Sequence, residues 1–314
     1  MPSEQGGRER PWWAVIVSGA EGRKVRRLAL RVFDRERPHH YYPSEGGQGL
    51  IEQTVKRATC LVPPERIFTV IGNGHGAHID PVAQLPGRIL EEPADRGTGA
   101  SLFLPLAYVL AQDPNATVLI LPCDHLVLPD AQVVPQVERA GYLAELMPNR
   151  LVILAAAPTR PQADLGWVEP GPVLDLYASF GARSVKRFYE KPGTQEAESF
   201  FRRGFFWNTM IMAVKARTMW AIGQELFPGM IKRFENLLDL LKLVKSGNAS
   251  RDLEGLALRD VYRGLETTNF SRRVLQLAPE WITLLPLANL SWSDWGHPAG
   301  NAESEAPSTQ LRLA

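Results

Sequence analysis

Cysteine is scarce in this sequence. Cys60 and Cys123 are the only two in 314 residues, too few for a disulfide framework and suited to a reducing compartment. Charge of one sign is lacking too: 35 Lys and Arg stand against 34 Asp and Glu, a formal net charge of +1. Nothing therefore draws the whole chain towards nucleic acid or a membrane surface, and any anion site must be local. No apolar run approaches the length of a transmembrane helix, and the opening MPSEQGGRERPWW lacks the apolar stretch of a secretory leader. Internal repeats and a clean linker are also absent. These absences predict a cytoplasmic protein with neither nucleic acid nor membrane as partner. What remains is ordinary globular material, 45% hydrophobic and 22% charged, long enough to bury a sizeable core.

The first half alternates strands and helices. Trp13–Val17, Arg66–Ile71, Thr117–Pro122 and Arg150–Ala157 read as buried strands, and 87–92 as a short one. Residues 49–60, 100–111 (with a kink near Pro105) and 130–146 read as helices. This alternation predicts an α/β fold with a doubly wound, mostly parallel mixed sheet flanked by helices, Rossmann-like in character. From residue 158 the pattern changes to strand candidates at 166–169, 184–190, 209–214 and 281–286, set between Pro/Gly turns. Helices are expected over 197–203, 216–226 and 231–245. The expected organisation is a polar leader over 1–12, one domain over 13–300 with halves 13–157 and 158–300, and a mobile tail over 301–314. The second half carries a C-terminal elaboration.

Three stretches carry chemistry. Thr117-Val-Leu-Ile-Leu-Pro-Cys-Asp-His125 is a buried strand whose carboxyl end delivers Asp124, where ligands bind in open α/β sheets. A carboxylate there can hold a divalent ion on a phosphate, or can cap a helix or tighten a turn; both readings stay open. Ser18-Gly-Ala-Glu-Gly-Arg-Lys24 follows the first strand and opens a segment with seven cations between Arg23 and Arg37. Its glycines allow close backbone approach to phosphates, although charge runs are commonly just solvated. Gly72-Asn-Gly-His-Gly-Ala77, with Glu91 and Glu92 downstream, fits the dinucleotide pattern G-x-G-x-x-A. Pro81 and Pro86 interrupt the helix that pattern needs, which makes a dinucleotide-dependent oxidoreductase the weakest alternative. His75 and His78 could ligate a metal, or simply belong to a glycine-rich loop.

In order along the chain come Gly19-Ala-Glu-Gly22, Leu50-Ile-Glu-Gln-Thr54, Pro93-Ala-Asp-Arg-Gly-Thr98 and Leu121-Pro-Cys-Asp-His125. Then follow Gly166-Trp-Val-Glu169, Phe188-Tyr-Glu-Lys-Pro192, Phe206-Trp-Asn208 and Trp292-Ser-Asp-Trp-Gly296. This series resembles the sugar-nucleotide pyrophosphorylases, most closely the mannose-1-phosphate guanylyltransferases, over residues 13–297. The resemblance implies a GT-A-like nucleotidyltransferase fold. It also implies transfer of a nucleoside monophosphate from a nucleoside triphosphate, GTP by this likeness, to a sugar 1-phosphate such as mannose 1-phosphate. Gly19, Ala20, Gly22, Arg23 and Lys24 would hold the triphosphate. Asp124 and Asp294 would bind Mg²⁺, and Thr98 would lie near the base. Gly166, Glu190, Lys191 and Asn208 would face the sugar and its phosphate, with Lys24, Asp124, Lys191 and Asp294 as the catalytic set. A homo-oligomer is compatible with this reading.

The sequence departs from that family at three places. The Thr/Ser-Arg-Leu that closes the glycine signature is Arg23-Lys24-Val25 here, and a lysine lacks the bidentate fork of arginine. The family's Pro-Lys-Gln is Pro38-His39-His40, which replaces a permanent cation with an imidazole that is mostly neutral at cytoplasmic pH. A later acidic motif survives only as Thr268-Asn-Phe-Ser-Arg-Arg-Val-Leu275, without its acids. These departures leave room for a catalytically reduced relative that binds nucleotide or nucleotide sugar in a regulatory role.

Overall fold

The structure is a computed structural model that describes residues 10–18, 49–78 and 85–294. The loop expected to hold phosphates (Gly19, Ala20, Gly22, Arg23, Lys24), His39 and His40, and the 301–314 tail lie outside the described residues.

A nine-stranded mixed sheet organises the chain. Its strands are β1 (Trp12–Val17), β2 (Ile67–Ile71), β3 (Arg88–Glu91), β4 (Thr117–Pro122), β6 (Leu151–Ala156), β7 (Gly166–Val173), β8 (Arg183–Glu190), β9 (Phe206–Lys215) and β10 (Ile282–Pro286). Their order is β3-β2-β1-β4-β9-β6-β10-β8-β7. The first four are mutually parallel, as the sequence pattern predicts. The 151–156 strand meets the parallel expectation on one side only. It runs parallel to β10, but antiparallel β9 separates it from β4. The fold is thus an α/β nucleotidyltransferase-type mixed sheet, parallel in its first half and largely antiparallel in its second.

β1 shows why the centre must be apolar. All six residues are buried, with Trp13, Val15 and Val17 in one core and Trp12, Ala14 and Ile16 in the other. A strand covered on both faces reads as a continuous apolar run. The helices supplying the covers are α1 (Leu50–Thr59), α2 (Gly97–Gln112), α3 (Val133–Leu146), α4 (Thr194–Arg202), α5 (Ala216–Leu226), α6 (Pro228–Lys245) and α7 (Asp252–Arg263). α2 is apolar around its whole circumference and buried from Gly99 to Ala111, as expected of a central helix. It runs through Pro105 and begins three residues before the sequence pattern places it. α1 is capped by its own Glu52, which accepts the Gly49 N–H at 3.1 Å. α4 repeats the device with Glu196 and Gly193 at 2.9 Å.

Two elements escape the sequence pattern. α7 was not anticipated; it buries only Val261 and Tyr262, and its Leu253 and Leu256 are exposed. A two-stranded ribbon pairs β5 (His125–Leu128) with β11 (Ser291–Asp294), antiparallel. Strands this short leave little alternation to read.

Candidate active site

β4 carries its chain to the carboxyl edge of the parallel sheet. There the Cys123 N–H donates to Val17 O at 3.0 Å, and the Ser18 N–H donates to Val70 O at 3.1 Å. Ser18, the last described residue before the glycine loop, therefore stands beside the turn that presents Asp124. The other acid arrives from 170 residues away. The β5–β11 ribbon places Asp294 directly opposite His125, and ligand atoms of Asp124, His125 and Asp294 all lie within 4.8 Å of one another. Both carboxylates are only partly exposed, whereas His125 is buried. Carboxylate oxygens at this spacing form a hard donor set that suits a divalent cation such as Mg²⁺. Cys123 takes no part as an anion, because burial, reinforced by the neighbouring Asp124 charge, pushes its thiol well above the ordinary range.

A second group gathers where β7, β8 and β9 meet. Gly166 opens β7 opposite Glu190 at the end of β8, and a Cβ added at Gly166 would stand 3.2 Å from Glu190 Oε2 and 3.4 Å from Asn208 Cβ. Asn208 sits at a register break in β9. Its Oδ1 accepts the Met210 N–H at 3.2 Å, while Thr209 Oγ1 donates to Leu154 O at 2.6 Å. Lys191 and Met210 hold φ values of 50° and 55°, a left-handed backbone that costs energy in residues with side chains. Such strain clusters at ligand sites. Lys191 is exposed immediately beyond Glu190.

An aromatic chain joins the two groups. Trp292 packs edge-on to His125 with centroids 5.0 Å apart, Trp207 lies 6.1 Å from Trp292, and Trp167 lies 6.0 Å from Trp207. Sequence reading named these tryptophans only as members of motifs. Their rigid, buried rings fix β11, β9 and β7 relative to one another.

The third element is the turn at Arg96-Gly97-Thr98. Thr98 Oγ1 accepts the Phe270 N–H at 2.9 Å, and the Gly99 N–H donates to Thr268 O at 3.2 Å. The segment that lacks the family's acids thus packs on this turn. Its Asn269 Nδ2 also donates to Glu190 Oε1 at 3.4 Å, and Gln276 Oε1 accepts the Glu190 N–H at 3.2 Å. Asn269, from the segment without acids, and Gln276 just beyond it link the turn to the Glu190 group. Gly97 has φ +76°, and a Cβ there would sit 2.3 Å from Thr268 O. Gly97→Ala therefore costs about 1–3 kcal/mol, to be read as a lowered urea midpoint at unchanged slope.

The dinucleotide pattern at Gly72–Ala77 meets a different fate. A one-turn 3₁₀ helix at His75–His78 follows β2, with no α-helix beginning at those glycines. Glu91 Oε1 accepts the Gly74 N–H at 2.6 Å. Both Glu92 oxygens are occupied internally, by Tyr262 Oη at 2.8 Å and Ser101 Oγ at 2.9 Å. Glu92 is thus committed to the interior, and among the described residues the glycines open no α-helix to receive a pyrophosphate.

The carboxyl edge of an open α/β sheet is where such folds bind ligands, and here it carries two converging acids. The model of the nucleotidyl transferase family matches residues 65–302, and the chain belongs to that family. The xanthan biosynthesis protein XanB of Xanthomonas campestris pv. campestris is 25% identical over 206 residues, 64% of this chain and 42% of that protein. A mannose-1-phosphate guanylyltransferase of Escherichia coli is 25% identical over 208 residues, 63% of this chain and 43% of its own length. The chain thus spans about two-fifths of the curated relatives it matches. Among solved structures, one described as a mannose-1-phosphate geranyltransferase from Thermus thermophilus superposes with a TM-score of 0.72 at 29% identity, covering 91% of this chain and 76% of that one. Among the described residues no helix is long and apolar enough to cross a membrane.

Proposed function

We propose that this chain is a sugar-1-phosphate nucleotidyltransferase that joins GTP and mannose 1-phosphate to give GDP-mannose and pyrophosphate. The observation that carries the proposal is the convergence of Asp124 and Asp294, ligand atoms within 4.8 Å, at the carboxyl edge of the parallel strands. The base and the sugar rest on the named relatives and on the motif likeness.

In this reaction an oxygen of the sugar phosphate attacks the α-phosphorus in line, the α–β phosphoanhydride bond breaks, and pyrophosphate leaves. Reactant and leaving group are both anionic, so positioning and charge neutralisation supply most of the rate and no protein nucleophile is needed. Asp124 and Asp294 hold the divalent cation. When bound, Mg²⁺ neutralises charge on the reacting phosphates. Gly19, Ala20 and Gly22 offer backbone N–H groups to the triphosphate, and Arg23 and Lys24 offer cations. Thr98 borders the base. Gly166 leaves room for the sugar ring between Glu190 and Asn208, which bind its hydroxyls, and Lys191 screens the sugar phosphate as a compact charge.

The test is pyrophosphate release from purified protein with Mg²⁺, four nucleoside triphosphates and a panel of sugar 1-phosphates. Turnover is expected to be highest with GTP and mannose 1-phosphate. Should no pair turn over while GTP or GDP-mannose still raises the melting temperature, the changes at Lys24 and His39 have reduced the chain to a binder. His39→Lys would then restore turnover.

A further inference from the structure

His125 belongs to the same turn as Asp124, yet the reaction described above gives it no role. Its ring is 7% exposed, pinned edge-on by Trp292, and lines a small cavity with Thr54, Leu121, Val127 and Ile211. The two ring nitrogens differ sharply. Nε2 lies 3.4 Å from Asp124 Oδ1, whereas Nδ1 is buried with no hydrogen-bond partner among the described residues.

That asymmetry separates two roles. If Nε2 ligated the cation, the ring proton would sit on Nδ1, and a buried N–H would be left unpaired at about 1–3 kcal/mol. Ligating histidines almost always give that second N–H an acceptor. With the proton on Nε2 instead, the ring proton lies on the nitrogen 3.4 Å from a carboxylate oxygen, and Nδ1 keeps a lone pair rather than an unpaired N–H. Resting on the reading of Asp124 and Asp294 as cation ligands, we infer that His125 is a positioning residue: its protonated Nε2, 3.4 Å from Asp124 Oδ1, steers that carboxylate towards the cation without itself coordinating it.

Mn²⁺ reports on this directly, because its free concentration can be followed by electron paramagnetic resonance without any turnover. His125→Phe keeps the aromatic packing on Trp292 but removes the donor, and it weakens Mn²⁺ binding by about 10–100-fold. His125→Gln places an amide N–H near the Nε2 position and stays within about threefold of the unchanged protein, a rescue typical of a lost orienting bond. His125→Leu replaces the Phe variant if the latter does not fold, with tryptophan fluorescence as the control. Equal weakening in the Gln and Phe variants overturns the inference, since a ligand or a packing residue would behave that way. No weakening in either variant overturns it as well. If the unchanged protein binds no Mn²⁺ that Asp124→Asn abolishes, the cation reading fails first and the inference falls with it.

Discussion

Asparagine at Asp124 or at Asp294 is expected to lower the proposed nucleotidyl transfer by at least about 10³-fold, the loss of roughly 4 kcal/mol of transition-state stabilisation. The fold survives, for an electrostatic reason. Ligand atoms of the two acids lie within 4.8 Å of one another, so without a cation their charges repel by on the order of 1–3 kcal/mol in a partly solvated setting. Removing one charge relieves that repulsion. Each Asn variant should therefore melt at or above the unchanged protein in EDTA, and should lose the extra stabilisation that Mg²⁺ confers on the unchanged protein. The two losses share one cause, so the double variant is no worse than either single one. Melting several degrees lower in EDTA would show that the acids hold the β5–β11 ribbon together and would remove the case for a cation.

The second large effect concerns pH. Glu92 is buried under the Arg96–Thr98 turn. Desolvation, aided by the nearby Asp95 charge and opposed by the hydrogen bonds from Tyr262 and Ser101, raises its carboxyl to about 7 from a usual 4.5. A carboxyl raised on folding favours the folded state in its protonated form. Its contribution is full below pH about 4.5, is lost as pH rises through about 7, and is flat above that. At about 1.4 kcal/mol per pH unit the loss is about 3 kcal/mol. Urea unfolding between pH 5 and pH 8 should show that decline. Glu92→Gln, neutral throughout, should match the unchanged protein at pH 5 and exceed it at pH 8 by about 2–3 kcal/mol. An equal decline in the Gln variant would place the titration elsewhere. The consequence reaches the site, because Tyr262, the partner of Glu92, also accepts from Arg96 Nε through its carbonyl at 3.1 Å.

Much of this was legible in the residues. The apolar run before Asp124 announced a strand buried on both faces, and its position at a strand's carboxyl end made Asp124 a candidate ligand beside the alternative of a cap or turn. The featureless apolarity of residues 100–111 announced a central helix. The relation between elements was not legible, because β9 reaches β4 and β6 from far along the chain and reverses the local direction of the sheet. α7 was missed altogether, although its Tyr262 bonds both Glu92 and Arg96. His125 was read as the end of a motif. A histidine following an acid in the sequence carries no signal of which nitrogen faces that acid. The segment with Asn269 was read only as lacking acids, and Gln276 just beyond it was not read at all, although these two amides contact Glu190.

The central claim is that Asp124 and Asp294 share one divalent cation. Crystals soaked with MnCl₂ and GTP, measured for manganese anomalous scattering, test it most directly. The account predicts one anomalous peak within coordination distance of both carboxylates and of the bound nucleotide's phosphates. A peak that touches neither acid, or nucleotide bound with no peak between them, would contradict it.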